Sequence, residues 1–202
     1  MKHKKLNRYL QSMKKGELVT KRQLTKIDAT NNQFIAKSIK NKKLFPIINN
    51  IYQKPNYNKK FKQFVPPSLM QIAKAIAIQN NETITLTGNC ALNALSLSTQ
   101  VPMQLKFVTS GETKTVILSG NTKIQFIHQA FDYNYKNAPD KIRTAIEAIK
   151  YLSKHDTELS ASVIQTLYNQ LSFVEIQQII SLTNLYSSQI KHNVCLIKKK
   201  KL

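Results

Sequence analysis

Positive charge is unevenly distributed along this chain, and its distribution limits how the chain can fold. Residues 1–67 carry 17 Lys and Arg against two acids, a net charge of +15 out of +21 for all 202 residues. Residues 68–172 have a net charge of only +2, and residues 173–202 one of +4, mostly from the lysines at 198–201. Dense positive charge cannot be buried and is typical of a surface that binds a polyanion. We therefore expect a basic N-terminal domain followed by a nearly neutral one.

The second informative feature is a block without charge, from Thr83 to Leu105, which includes TGNCALNALSLSTQVP. Because burial of an unpaired lysine is costly, an uncharged stretch predicts that the chain passes through a core here. The side chains of Ser98, Thr99 and Gln100 can bond backbone groups and hold a tight crossover, and Pro102 restricts the backbone before the next strand. We interpret the block as structural rather than as a contact surface.

Local signals in the basic region predict three short helices and a hairpin. Leu6, Tyr9, Leu10 and Met13 have helical spacing, Thr20 is a good N-cap for a helix through Ile27, and a third helix is expected at about 32–41. The segments LFPII and IYQK then flank Asn49-Asn50, a pair that tolerates the positive φ angles of a tight turn.

This order predicts a winged helix-turn-helix over residues 1–57, whose third helix enters the major groove of DNA. Gln33, Lys37 and Lys40 would share the outward face of that helix. Lys21 and Arg22, at the start of the second helix, would meet phosphates, assisted by the helix N-terminus. The alternative is a small basic helical domain that binds RNA or simply stays soluble. The candidate DNA-binding residues are Thr20, Lys21, Arg22, Gln33, Lys37, Lys40, Lys43 and Asn49.

The remaining chain predicts a linker at 58–67, which ends in two prolines, a C-terminal domain at 68–197 and a basic tail at 198–202. The C-terminal domain should contain a helix after Ser68, a strand at 84–86 and a short helix at 88–95. The segments QLKFVT, TKTVIL and TKIQFIH should form a β-meander, followed by helices near Pro139, at about 160–170 and at 174–190. The predicted class is α+β: a winged helix-turn-helix, then a mixed domain with a small antiparallel sheet and C-terminal helices.

The sequence offers no pattern for catalysis. It has only ten acids and four glycines, and His3, His128, His155 and His192 are scattered without ligand spacing. No catalytic residue, metal or cofactor is therefore expected, and His128 at a strand end is interpreted as structural. Cys90 and Cys195 lie far apart, which is typical of reduced thiols in a cytoplasmic protein, and no membrane span is expected.

The run NALSLSTQVPMQLKFVTSGETKTVILSGNTKIQFIH resembles the signature region of AbiEi-family antitoxins of type IV toxin–antitoxin systems. KKGELVTKRQL and the segment up to Ile51-Tyr52 also resemble that family's N-terminal domain. The sequence departs from the family where Ser96 and Asn50 replace glycines, and where Leu44-Phe45-Pro46 replaces an arginine-rich start of the wing. The matching positions are Asn93, Leu95, Leu97, Ser98, Thr99, Gln100, Val101, Pro102, Thr109, Gly111, Asn121, Ile124 and His128.

The resemblance implies a DNA-binding antitoxin that represses its own operon by binding inverted repeats in its promoter. The C-terminal domain would counter a nucleotidyltransferase toxin without forming a stable complex. The family-motif positions with a structural or antitoxin role would be Asn93, Ser98, Thr99, Gln100, Pro102 and His128. Two alternatives stay open: a stand-alone regulator whose C-terminal domain dimerises or senses a ligand, and a basic RNA-binding protein.

Overall fold

The computed structural model describes residues 3–155, 158–184 and 186–199. Contacts within the chain divide it into two compact units, one of residues 1–83 with 118–120 and one of residues 84–117 with 121–202. The described residues combine helices with small sheets, so the α+β class is confirmed. None of the helices in these ranges is both long and apolar enough to cross a membrane.

The N-terminal unit consists of short helices around a three-stranded antiparallel sheet with the order β1-β3-β2. Leu6 and Leu10 of α1, with Met13 directly after it, have helical spacing and pack with residues of α2, α3 and the sheet in one core. The helices predicted at the start of the chain are confirmed, whereas β1 was missed. The elements are α1 (Lys4–Ser12), β1 (Leu18–Thr20), α2 (Lys21–Ile27), α3 (Asn31–Lys40), β2 (Phe45–Ile48), β3 (Ile51–Gln53), β4 (Tyr57–Asn58), β5 (Gln63–Phe64) and α4 (Leu69–Asn80).

Helix α4 begins where it was predicted, because Ser68 and Gln71 form a reciprocal capping box. However, α4 packs against β1 and α2 and belongs to the N-terminal unit, so the predicted domain start at residue 68 is wrong. The segment 58–67 is not a plain linker either. It contains most of a hairpin in which β4 pairs with β5, closed by a bond from Val65 N to Asn56 O of 2.8 Å.

The C-terminal unit has a four-stranded sheet with the order β6-β7-β9-β8, together with helices. Its first strand and first helix were predicted, as was the long helix near Pro139. The elements are β6 (Ile84–Leu86), α5 (Asn89–Ala94), β7 (Leu105–Thr109), β8 (Lys114–Ile117), β9 (Lys123–His128), α6 (Tyr133–Asn137), α7 (Asp140–His155), α8 (Ala161–Gln170), α9 (Phe173–Leu182) and α10 (Ser188–Lys199). A 3-10 turn (Ser119–Asn121) precedes β9, and residues 118–120 are counted with the N-terminal unit.

The predicted β-meander is wrong in its pairing. Strands β7 and β9 are parallel neighbours, with Phe107 opposite Phe126, and β8 lies antiparallel on the far side of β9. Burial explains this order, since Phe107 and Phe126 are both buried and stack with ring centroids 5.6 Å apart. The more polar strand β8, which has no fully buried residue, is left at the edge of the sheet.

The last predicted helix, 174–190, is in fact parts of two helices, α9 and α10. Ile176 and Ile179 of α9 are buried in one core with Ile146 of α7 and Val194 of α10. These apolar residues of α9 therefore pack within their own unit. Helix α10 extends to Lys199, so the predicted tail begins within a helix; residues 200–202 of that tail lie outside the described residues.

Candidate nucleic-acid interface

The connection between α2 and α3 is held by a network around Asp28. The carboxylate accepts bonds from the Thr30 N–H, at 2.9 Å, and from the Thr30 hydroxyl, at 2.7 Å, and it lies 2.8 Å from His3 Nδ1. These bonds, with that of the Thr30 hydroxyl foremost, lower the pKa of Asp28 to about 2. The amide of Asn31 also donates to Thr25 Oγ1 and Asp28 O. Specific side-chain bonds therefore fix how α3 follows α2.

Helix α3 presents a polar, basic face to solvent. Gln33, Lys37 and Lys40 are exposed, while Phe34 and Ile35 on the opposite side are buried. The predicted sharing of one outward face is therefore confirmed. Residues 29–81, which include all of α3, contain no Asp or Glu, so no carboxylate from this stretch neutralises the lysines of this face. A helix with such a face can place cationic and amide groups against a polyanion.

A concave surface lies beside this face, between α1 and α3. It encloses about 420 Å³ and is open to solvent. Its lining combines lysines with side-chain amides, which are the groups that contact phosphates and base edges in protein–DNA complexes. The lining residues include His3, which precedes α1, Asn7 of α1, Gln33 and Lys37 of α3, and Asn41 and Lys43 of the following loop.

The β2–β3 hairpin has the predicted two-residue turn. Ile48 pairs with Ile51, which leaves Asn49 and Asn50 as the turn, and Asn50 has a φ of 61°. This is the left-handed conformation that asparagine tolerates better than most residues. Asn49 is exposed, and Asn50 O accepts a bond of 2.8 Å from Lys21 N. This hydrogen bond connects the tip of the hairpin to the start of α2.

Thr20 was wrongly predicted to contact DNA. It is only 1% exposed, and its hydroxyl accepts a bond from Gln23 N at 3.2 Å while Gln23 Oε1 accepts one from Thr20 N at 2.9 Å. The side chain is used entirely as the N-cap of α2. The capping role predicted for Thr20 is confirmed.

The N-terminus of α2 also differs from expectation. Lys21 N donates to Asn50 O, and Arg22 N donates to Gln79 Oε1 at 3.0 Å. With the N–H of Gln23 occupied by Thr20, the first N–H groups of this helix have partners within the protein. The expected assistance of the helix N-terminus to phosphate binding is therefore wrong. Lys21 and Arg22, both half-buried, can offer only their side chains, whereas Lys43 after α3 is exposed.

In the C-terminal unit, the block that resembles the antitoxin signature forms a tight loop after α5. The amide of Asn93 donates to Ser98 O at 3.3 Å and to Gln100 O at 3.1 Å, and Gln100 N donates to Ser98 Oγ at 3.2 Å. Ser96, where the resemblance expects glycine, has a φ of 53°. Ser98 thus bonds a backbone group as expected, whereas the other bonds come from Asn93, which had not been predicted to make them, and Thr99 and Gln100 are exposed.

The core-crossing prediction for this block is only half correct. Cys90 and Leu95 are buried, but Thr99 and Val101 are exposed, Pro102 is half-buried and a bend separates it from the start of β7. Neutral side chains are needed in a core but are also compatible with a surface, so composition alone could not separate the two halves. The exposed half is available to contact another molecule.

His128, at the end of β9, forms hydrogen bonds with the connection between β7 and β8. Its Nδ1 lies 2.7 Å from Gly111 O, and its N–H donates to Thr113 Oγ1 at 2.8 Å. Within the same turn, Gly111 N donates to Thr109 Oγ1 at 3.0 Å. His128 therefore has the structural role that was predicted for it at this strand end.

Sequence reasoning missed a buried polar centre around Glu147 of α7. This carboxylate is 2% exposed and accepts bonds from Lys150 Nζ at 2.7 Å, Tyr135 OH at 3.1 Å, Thr87 Oγ1 at 3.2 Å and Gln129 Nε2 at 3.3 Å. The only available signal was an acid within the apolar stripe of α7. Its partners come from three other segments, which no local pattern connects.

Within the described ranges, no three His, Cys, Asp or Glu residues are grouped so that they could hold a metal ion. No curated protein matches the chain. A family model with the description "Family of unknown function (DUF6088)" matches residues 5–176 and so includes most of both units. The chain therefore belongs to the family of unknown function DUF6088.

Proposed function

We propose that this protein is a DNA-binding antitoxin that represses its own type IV toxin–antitoxin operon in the cytoplasm. Its N-terminal unit would be a winged helix-turn-helix that binds inverted repeats in its own promoter. Its C-terminal unit would counter a nucleotidyltransferase toxin without a stable complex. The DNA-binding half is argued from geometry, and the antitoxin half from the resemblance of the signature block.

The observation that carries the DNA-binding proposal is the outward face of α3. Gln33, Lys37 and Lys40 project from a helix that follows α2 after a three-residue connection. In helix-turn-helix proteins the second helix of such a pair lies in the major groove. An amide at Gln33 suits the edge of a base, and ammonium groups at Lys37 and Lys40 suit phosphates.

The hairpin after α3 supports the winged-helix assignment. The unit has the element order helix, strand, helix, helix, strand, strand, and its third strand lies between the other two. A hairpin so placed can lie along the DNA backbone as a wing. The arginines expected at the start of the wing are absent, but Lys42 and Lys43 precede β2 and are exposed. These lysines would supply the phosphate contact in their place.

Backbone geometry supports the resemblance at the two positions where a family glycine is replaced. The family glycines are replaced by Asn50 and Ser96, and both residues have positive φ, 61° and 53°. Glycine adopts this conformation without strain, so the local backbone at both positions fits the family pattern. The exposed residues Thr99, Val101 and Met103 provide a surface through which the C-terminal unit would act.

The DNA-binding proposal is tested by fluorescence anisotropy with the duplex upstream of the protein's own gene and a shuffled duplex, at two salt concentrations. We expect tight, sequence-selective binding that weakens steeply with salt. The double variant Lys37→Ala, Lys40→Ala should reduce the salt slope by about 2, since each lost phosphate contact reduces it by about 1. Gln33→Ala should weaken operator binding by about 1–3 kcal/mol and relax selectivity.

The matched control is Lys123→Ala, Lys191→Ala, which removes the same charge from exposed positions of the C-terminal unit. It should leave affinity and salt slope close to those of the unchanged protein. Equal weakening by both double variants, or equal binding to both duplexes, would mean that the charge acts generically and would refute autoregulation.

The antitoxin half is tested by co-expression with the product of a toxin-like reading frame beside the gene. We expect this protein to restore growth while the two proteins elute separately in gel filtration. Failure to restore growth would leave a stand-alone regulator as the better description. A stoichiometric complex that survives gel filtration would refute the absence of a stable complex.

A further inference from the structure

The β4–β5 hairpin exposes an aromatic ring among lysines. Phe61, in the turn of this hairpin, is 64% exposed, and its neighbours Lys59, Lys60 and Lys62 are exposed as well. Lys60 Nζ lies 5.7 Å from the centroid of the Phe61 ring. Burial of apolar area stabilises a fold, and most of the Phe61 ring is not buried. The packing of the hairpin therefore does not explain why a phenylalanine occupies this position.

The tip of the hairpin is held in one conformation before any partner binds. Asn58 Oδ1 accepts bonds from Lys60 N at 3.0 Å and from Phe61 N at 3.3 Å. Lys62 has a φ of 50°, which turns the chain back into β5. Below the tip, Gln53 Nε2 donates to Val65 O at 3.2 Å and ties the hairpin to β3. A preformed tip binds with a smaller loss of conformational entropy than a mobile loop.

The hairpin adjoins the strand that leads into the proposed wing. Phe64 of β5 contacts Phe45 of β2 with ring centroids 4.8 Å apart, and Tyr57 packs edge-on against Phe64 at 5.3 Å. The aromatic side of β4–β5 is therefore continuous with the β2–β3 hairpin. Both hairpins belong to the same compact unit, which has no acid between residues 29 and 81.

We propose that the β4–β5 hairpin is a second DNA-contacting element, in which Lys59, Lys60 and Lys62 neutralise phosphates and Phe61 packs into a base-pair step beyond the site contacted by α3. This inference rests on the proposed DNA-binding function and deepens it. Duplex DNA fits the hairpin because three exposed lysines lie next to an aromatic ring that is itself mostly exposed. Apolar side chains on DNA-binding proteins insert between base pairs and unstack them in this way.

The experiment titrates the full-length protein and its variants with operator duplexes that carry 2-aminopurine at successive positions. We expect the unchanged protein to raise 2-aminopurine fluorescence at one step, because the base there becomes unstacked. Phe61→Ala should abolish that rise and weaken operator affinity about tenfold, as for loss of one stacked base. Phe61→Tyr, which keeps the ring, should retain both signals.

The matched control is Tyr133→Ala, which removes an exposed ring from the C-terminal unit; Tyr133 is 81% exposed, against 64% for Phe61. It should leave affinity and fluorescence unchanged. If Phe61→Ala behaves like this control, the hairpin proposal is refuted, while the Lys37→Ala, Lys40→Ala variant in the same titration still decides the proposed function. If instead Phe61→Ala weakens binding only to single-stranded RNA or only to vesicles of anionic phospholipid, the duplex contact is likewise refuted.

Discussion

The buried carboxylate of Glu147 should be one of the most sensitive positions for the stability of the C-terminal unit. Glu147→Ala removes the acceptor of four hydrogen bonds in a place that water does not reach. The hydroxyl of Tyr135, which is itself buried, would then lose its acceptor. Lys150 is less affected, because part of its side chain reaches solvent.

The magnitude follows from these contacts. Removing one partner of a buried ion pair costs about 3–5 kcal/mol, and leaving a buried hydroxyl unpaired costs about 1–3 kcal/mol. Because Lys150 can turn toward water, we expect the lower end of the first range, about 3 kcal/mol for Glu147→Ala. Glu147→Gln keeps an acceptor for Tyr135 but loses the charge and replaces one carboxylate oxygen with an NH2 donor, so it should cost less than Glu147→Ala, about 1 kcal/mol.

The assay is urea unfolding followed by circular dichroism, with hydrogen exchange of α7 peptides to localise the change. Glu112→Ala, at an exposed turn position, is the control and should lie within about 0.5 kcal/mol of the unchanged protein. We expect faster exchange in α7 for Glu147→Ala and not for Glu112→Ala. A loss below about 0.5 kcal/mol for Glu147→Ala would refute the view that Glu147 organises this core.

A spectroscopic readout tests the same centre independently. Burial, followed by the charge of Glu147, raises the pKa of Tyr186 to about 12. The folded pKa lies above the ordinary value of 10.0, so this contribution to stability is complete below pH 10 and is lost as pH rises toward 12. Glu147→Gln should lower the pKa of Tyr186, measured from tyrosinate absorbance. An unchanged alkaline titration would contradict the coupling.

Three further predictions concern single residues. Ser96→Gly should raise the free energy of unfolding in urea by about 1 kcal/mol, since serine is strained at its φ of 53°. The control Ala94→Gly, in the preceding helix α5, should lower it by a similar amount, and the same change in stability for both variants would contradict the prediction. The pKa of Asp28 is lowered to about 2, so stability should fall as pH drops from about 4 to 2, and Asp28→Asn should flatten that fall. Burial raises the pKa of the Cys90 thiol while Cys195 is exposed, so Ellman's reagent should rapidly label one thiol in the native protein and two in urea.

Features that depend on neighbouring residues could be predicted from the sequence. The capping boxes that begin α2 and α4 need only Thr20 with Gln23 and Ser68 with Gln71, three positions apart. The outward face of α3 likewise follows from helical spacing, which made Gln33, Lys37 and Lys40 identifiable as a set. The DNA-binding candidates on this face could therefore be found without coordinates.

Features that depend on pairing between distant segments could not be predicted in this way. Strand β9 has antiparallel β8 on one side and parallel β7 on the other, and the three strands separately are compatible with a meander. The pairing is decided by which strands bury their rings together, as Phe107 and Phe126 do. The availability of the α2 N–H groups also depended on distant acceptors, Asn50 O and Gln79 Oε1.

The sequence by itself therefore determined the charge division, most helices and the basic face of α3, because charge, capping and helical period act over a few residues. Tertiary structure alone decided that α4 belongs to the basic unit, that Thr20 is buried and that Glu147 gathers partners from three other segments. It also placed Phe61, most of which is exposed, at the tip of a hairpin in a segment that had been interpreted as a linker. Burial and long-range hydrogen bonding depend on which distant segments pack against a residue, and a local sequence pattern does not encode those contacts.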